Sequence, residues 1–283
     1  MEVNDVEKKK VHKGPLYYWL YYLALAMLIS IFLGQLFPYL VTRLLGIVGI
    51  LSPKDYFQFE FMKFDLYYLY FGAFVFLLYY YIFKKNKRIE NGDYLHLFKL
   101  KPMNIILYVL IGFSLSCCNG YIVDLTGKFF VKSFQNYSRN FKVWEGNNVY
   151  TFVILAVIIG PIVQEVAVRH FFSRCLYRSY SLITVILLQA VMFGVGHMNS
   201  IQGIYTFIGG ILFMVLVLWM DNLYPAVISH MACNLYAVVV SPFLYKYGID
   251  LKMFFAVLII PLLFMVYKRR QYDALDKNNP YWR

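Results

Sequence analysis

Three short patterns in this chain set polar groups inside apolar runs, and their residue types are those that activate water. Gln164-Glu165 is followed four residues on by Arg169, Phe193-Gly194-Val195-Gly196 leads into His197, and His230 is followed four residues on by Asn234. A charged group inside a membrane helix costs about 2.5–3.5 kcal/mol on insertion scales, so such groups pair, line an internal chamber, or both. Imidazoles can hold or move a proton near neutral pH. A carboxamide such as that of Asn234 can hydrogen-bond a histidine, a ligand or a developing oxyanion. Convergence of the three patterns would make a site for water-driven hydrolysis.

Each pattern also has a purely structural reading. Glu165 and Arg169 share one helix face at a spacing that allows pairing, and a salt bridge between them would lock the helix and lower the basicity of Glu165. His197 at the end of an apolar run reads equally as a hydrogen-bonded interfacial residue. His230 and Asn234 would also serve as a polar contact between helices. Their joint occurrence on three separate runs is the case for one site. Gln164 lies about 100° around the helix from Glu165, on a different face. His197 and His230 are candidate ligands of a divalent metal such as zinc. Zinc commonly takes three protein ligands plus water, and here no third is obvious. The His-Glu-x-x-His signature of soluble zinc proteases is absent from the sequence.

The elements that must position these residues are membrane helices. The chain has 283 residues, 61% hydrophobic, 20% aromatic and 15% charged, against about 45–50% apolar and about 25% charged in soluble domains. Spans need about 20 apolar residues each, which gives about eight: Tyr17–Leu40, Asp65–Phe83, Met103–Ile122, Tyr150–Phe172, Ser181–His197, Gln202–Met220, Tyr224–Leu244 and Met253–Tyr267. The runs lack the alternation of a membrane barrel, and no internal repeat of the transporter kind is visible. The predicted fold is all-α and polytopic, with the helices around an internal polar site. The predicted organisation is a basic N-terminus over residues 1–15, a helical membrane domain over 16–270 with its motif-bearing core at 150–240, and a tail over 271–283.

The formal charge of +12 sits in short flanks between spans, which leaves no contiguous basic surface for nucleic acid. Lys8–Lys13, Lys84–Arg88, Arg174 with Arg178, and Lys268–Arg270 all fall on one side of an eight-span arrangement. That side is expected to be cytoplasmic, with both termini inside a cell membrane. The Lys128–Lys142 loop falls outside, but it is longer and mixed in sign. The N-terminal run is too long for a signal h-region of about 7–15 residues and reads as a retained span. The four cysteines, Cys117, Cys118, Cys175 and Cys233, show no metal-knuckle spacing and read as small core hydrophobes. Gly160-Pro161 interrupts the fourth span just before Gln164, where a proline removes a backbone hydrogen bond.

In these three motifs the chain resembles the CAAX-processing and bacteriocin-processing membrane endopeptidases, the CPBP or Abi family. That family's pattern is Glu-Glu-x-x-x-Arg, then Phe-x-x-x-His, then His-x-x-x-Asn. Order and spacing match directly over residues 150–240. The resemblance implies an eight-helix membrane fold with a polar chamber. It also implies hydrolysis of peptide bonds in hydrophobic or lipidated peptides, including pheromones and bacteriocins, and it leaves metal involvement unsettled. Carried onto this chain, it gives position 164, His197 and His230 the water-activating roles and Asn234 the oxyanion. Glu165 and Arg169 complete the first motif.

Gln164 stands where the family has a glutamate. A carboxamide cannot accept a proton near neutral pH, and loss of a general base removes about 10²–10⁴ in rate. His170 stands where the family often has glycine. Two further classes of function fit the same sequence. One is a non-catalytic membrane scaffold or immunity protein that binds a peptide or a partner membrane protein. The other is a small-solute transporter, which the missing repeat disfavours. One geometric tension attends the three-motif site. At 1.5 Å per residue, Gln164 and His230 lie at about 10–12 Å depth from the inner end of their spans, and His197 nearer 25 Å. A tilted fifth span, or an inner boundary later than Ser181, would remove the mismatch.

Overall fold

The computed structural model describes residues 43–44, 47–49, 102–135, 137–138, 153–173, 176, 180–197 and 199–270, apart from the side chains of residues 155 and 171. The described residues are helical and contain no strand. Helix α1 covers Pro102–Phe129. The motif helix follows in three windings, a π segment Ile154–Ile159, α2 at Gly160–Glu165 and a second π segment Val166–Phe172. Then come α3 at Leu182–Val195 and α4 at Ser200–Met220. Helix α5, Tyr224–Leu235, continues through a π segment Tyr236–Val240 into α6, Ser241–Lys246. Helix α7 covers Lys252–Lys268. The spans expected at 17–40 and 65–83 lie outside the described residues.

Three of these helices are long and apolar enough to cross a membrane: Pro102–Phe129, Ser200–Met220 and Tyr224–Lys246, with mean hydropathies of 1.8, 2.1 and 1.6. The fifth expected span is shorter than its apolar run, because its regular helix ends at Val195 and the chain turns through Gly196 and His197. Ser181 starts that helix by accepting the Thr184 amide, and Asn199 starts α4 by accepting the Gln202 amide at 3.0 Å. Both are short polar side chains that satisfy an otherwise orphaned N–H. Asp221 ends α4 in the left-handed region at φ 47°.

Close backbone approach holds the bundle together. A Cβ on Gly112 would fall 2.3 Å from the Ser229 carbonyl oxygen, so only glycine lets α1 lie this near α5. The Ser229 hydroxyl donates to the Tyr108 carbonyl at 3.0 Å beside that contact. Gly194 of α3 meets the Gly203 carbonyl of α4, where a Cβ would lie 2.7 Å from the oxygen. Gly112 and Gly194 thus each let a second backbone come close. Leu107, Ile111, Leu115, Phe213, Met214, Val217 and Val266 fill the space between α1, α4 and α7. Outward faces stay apolar at helical spacing, as at Ile183, Leu187, Val191 and Val195 on α3, which suits hydrocarbon surroundings.

Helices α1 and α7 are antiparallel and joined at both ends. Lys252 at the start of α7 pairs with Asp124 near the end of α1. Arg269, just past α7, donates to the Asn104 side chain at 3.1 Å.

Candidate functional site

Gln164, Glu165 and Arg169 belong to the motif helix. Pro161 has no N–H to close a turn, and the winding there passes from π to α and back to π. π segments are rare and recur at functional sites. The result separates two neighbouring side chains. Gln164 is half-buried on the wall of a cavity of about 490 Å³. Glu165 is fully buried behind that wall.

Glu165 Oε1 accepts two bonds, from Arg169 Nη1 at 3.1 Å and from His230 Nδ1 at 2.8 Å. The pairing expected from the spacing of Glu165 and Arg169 is present, and the second bond carries it across to α5. Arg169 is also fully buried. Its guanidinium lies 4.1 Å from the Phe193 ring centre, and its Nη2 faces the Gly210 carbonyl at 3.4 Å. That carbonyl also accepts from Gln189 Nε2 at 2.9 Å. A cation over an aromatic face, paired with a carboxylate, is a tolerable arrangement away from water.

The hydrogen bonds fix which imidazole nitrogen carries hydrogen. A carbonyl only accepts, so His197 Nδ1, 2.7 Å from the Phe193 oxygen, is the donor. His230 Nδ1 likewise donates to an oxygen that already accepts from an arginine. In the neutral form each ring therefore keeps its lone pair on Nε2. Both histidines line the cavity, together with Gln164 and Asn234.

Phe193 sits between the two imidazoles, edge-on to each, with ring centres 5.0 Å from His197 and 5.7 Å from His230. Both imidazoles thus pack on one phenylalanine, so the depth difference of the span count does not keep the two motifs apart. Phe213 stacks on His230 at 5.0 Å and an interplanar angle of 21°. Asn234 Nδ2 donates to the Ala156 carbonyl at 2.8 Å, tying α5 to the first π segment. One of its two amide hydrogens is thereby committed to structure. His170 is fully buried one residue beyond Arg169 and does not line the cavity.

Several contributors were not singled out from the sequence. Phe213 and Gln189 hold the polar residues in place, and Tyr137, Gln202, Tyr205 and Thr206 extend the cavity wall. The signals available were Gln189 as a polar residue in an apolar run, and Gly209-Gly210 as a mark of close helix approach.

The donor set does not make a zinc site. Among the described residues no group of three or more His, Cys, Asp or Glu side chains comes together. His197 and His230 offer two imidazoles, and Gln164 adds only a neutral amide, whereas zinc sites commonly draw three imidazole, thiolate or carboxylate ligands from the protein.

The comparison with known families bears on this same segment. Residues 146–236 match an Rce1-like domain. The matching family is described as type II CAAX prenyl endopeptidase, Rce1-like. The match contains all three motifs and agrees with the resemblance read from them. No curated protein and no solved structure gives a significant match. The match covers about a third of the chain, and three described helices are long and apolar enough to cross a membrane.

Proposed function

We propose that this protein is an intramembrane endopeptidase of the CAAX- and bacteriocin-processing kind, with its activity held low by Gln164. It would cut peptide bonds in hydrophobic or lipidated peptides with activated water. The observation that carries this reading is the wall of one cavity, on which Gln164 and the two histidines meet. The remainder of the proposal follows the sequence: about eight spans, both termini cytoplasmic, and a motif-bearing core over residues 150–240.

In the competent form a water molecule lies between position 164 and His197. Its oxygen attacks the scissile carbonyl carbon while its proton passes to the base. A glutamate at 164 would take that proton; the amide of Gln164 cannot. His197 Nε2, with its hydrogen held on the opposite nitrogen, is the remaining acceptor at that position. The tetrahedral intermediate is steadied by His230, held in place by the Glu165 carboxylate at 2.8 Å, and by the uncommitted amide hydrogen of Asn234. Collapse breaks the C–N bond, and the proton leaves with the amine.

A second reading has support from Gln164 itself: the same cavity binds a peptide or a partner membrane protein without cutting it. The two readings separate by measuring cleavage of a prenylated CAAX-type peptide and an unlipidated hydrophobic peptide by the purified protein. Under the endopeptidase reading, Gln164→Glu raises cleavage of at least one of them by about 10²–10⁴. If Gln164→Glu is inert, while His197→Ala and His230→Ala leave the cellular phenotype intact, binding replaces it.

A further inference from the structure

We infer that Asn119 is a peptide-binding residue of the cavity, whose carboxamide oxygen accepts a hydrogen bond from a backbone N–H of an extended apolar substrate. The inference rests on the endopeptidase reading for the class of ligand. It extends the site to α1, outside the matched segment 146–236.

Asn119 is a polar residue in the apolar run of α1, within Ser116-Cys117-Cys118-Asn119-Gly120. It lines the same cavity as Gln164, His197, His230 and Asn234. One hydrogen bond places its side chain: Nδ2 donates to the Cys233 sulfur at 3.7 Å. Cys233 stands three residues after His230 and one before Asn234. The contact therefore holds the carboxamide against the turn of α5 that carries the third motif.

That carboxamide has bonding capacity to spare. A thiol is a weak acceptor for Nδ2. Oδ1 is shielded from solvent and has no hydrogen-bond partner among the described residues. Buried amide oxygens are nearly always paired, because an unpaired one is costly. A polar group kept at that cost on a cavity wall suits a partner that arrives with the ligand. The partner Oδ1 lacks is a donor, and a peptide backbone supplies an N–H at every residue except proline.

The neighbours on α1 select the rest of the ligand. Leu115 and Val123 line the cavity, each four positions from Asn119 and so about 6 Å along the helix. The strip thus runs aliphatic, carboxamide, aliphatic. An extended chain advances about 3.3–3.6 Å per residue, so about four residues cover the distance from Leu115 to Val123. A backbone N–H of that segment meets Asn119 while apolar side chains meet Leu115 and Val123.

Peptide binding tests this without requiring cleavage. The full-length, detergent-solubilised protein is titrated with a fluorescent, unlipidated hydrophobic peptide. Analogues in which one peptide N–H at a time is replaced by an ester oxygen are titrated alongside. The same titrations are made on Asn119→Ala and on the near-isosteric Asn119→Leu, with thermal midpoints as the check on folding. Loss of one hydrogen bond should weaken the parent peptide about 3–10-fold in both variants. One ester analogue should lose the same factor on the unsubstituted protein and nothing further on Asn119→Ala. The inference is overturned if the variants bind the parent peptide undiminished, if they weaken every analogue alike, or if no probe binds. In Gln164→Glu protein, Asn119→Ala should raise KM by a similar factor and lower kcat far less. Ester analogues that single out Asn119, on a protein in which Gln164→Glu never cleaves, would sink the endopeptidase reading alone. Cleavage with a KM indifferent to Asn119→Ala would sink the inference alone.

Discussion

Glu165 Oε1 accepts from an arginine on its own helix and from a histidine on another. Removing one member of such a buried cluster leaves an uncompensated charge, at a cost of about 3–5 kcal/mol. Glu165→Gln and Arg169→Met should each lower the thermal midpoint of the detergent-solubilised protein markedly. The double variant should recover part of the loss, because no lone charge remains; full additivity would mean that the two groups do not interact. The Glu165–Arg169 half of this cluster was legible in the sequence, since a separation of four residues sets both groups on one helix face. The His230 half was not, because it joins positions 65 apart, and only the fold brings them together. The separation of Gln164 from Glu165 onto different surroundings was legible from helical geometry alone.

At the scale of the element, helix contact depends on positions without a side chain. Gly112→Ala would drive a methyl into the Ser229 backbone, whereas at Gly209 the nearest atom to an added Cβ is a leucine methyl at 3.7 Å. Gly112→Ala should therefore lower stability by about 1–3 kcal/mol through overpacking, and Gly209→Ala should leave the thermal midpoint nearly unchanged. Equal effects at the two positions would contradict the α1–α5 packing. Asn234→Ala should remove the side-chain donor from the half-buried Ala156 carbonyl and loosen the first π segment, at about 1 kcal/mol for a lost hydrogen bond. The π windings themselves were not legible. Pro161 marked an interruption of the span, but the apolar run on either side carries no sign of how the chain takes up the missing hydrogen bond. The end of α3 was misplaced by two residues for a related reason: Gly196 and His197 continue the apolar run in composition and leave it in conformation.

For the whole molecule, a membrane protein was legible from 61% hydrophobic residues. The described helices agree with six of the expected spans in order, and three of them have spanning length and composition. The outer clasp between Lys252 and Asp124 is solvent-facing, with side chains 27% and 62% exposed, so its worth is about 0–1 kcal/mol. Asp124→Asn should shift the thermal midpoint of the detergent-solubilised protein little. Polar residues on three runs were expected to share one site, and Gln164, His197, His230 and Asn234 line one cavity. Which further residues line it was not legible, because that depends on how far each side chain reaches across the bundle.

The most direct measurement is the cleavage rate of the two peptide probes by purified Gln164→Glu protein, with and without His230→Ala. Convergence of the three motifs on one reactive water predicts a gain of about 10²–10⁴ over the unsubstituted protein, abolished by His230→Ala. A Gln164→Glu protein that cleaves equally well without the His230 imidazole would contradict it.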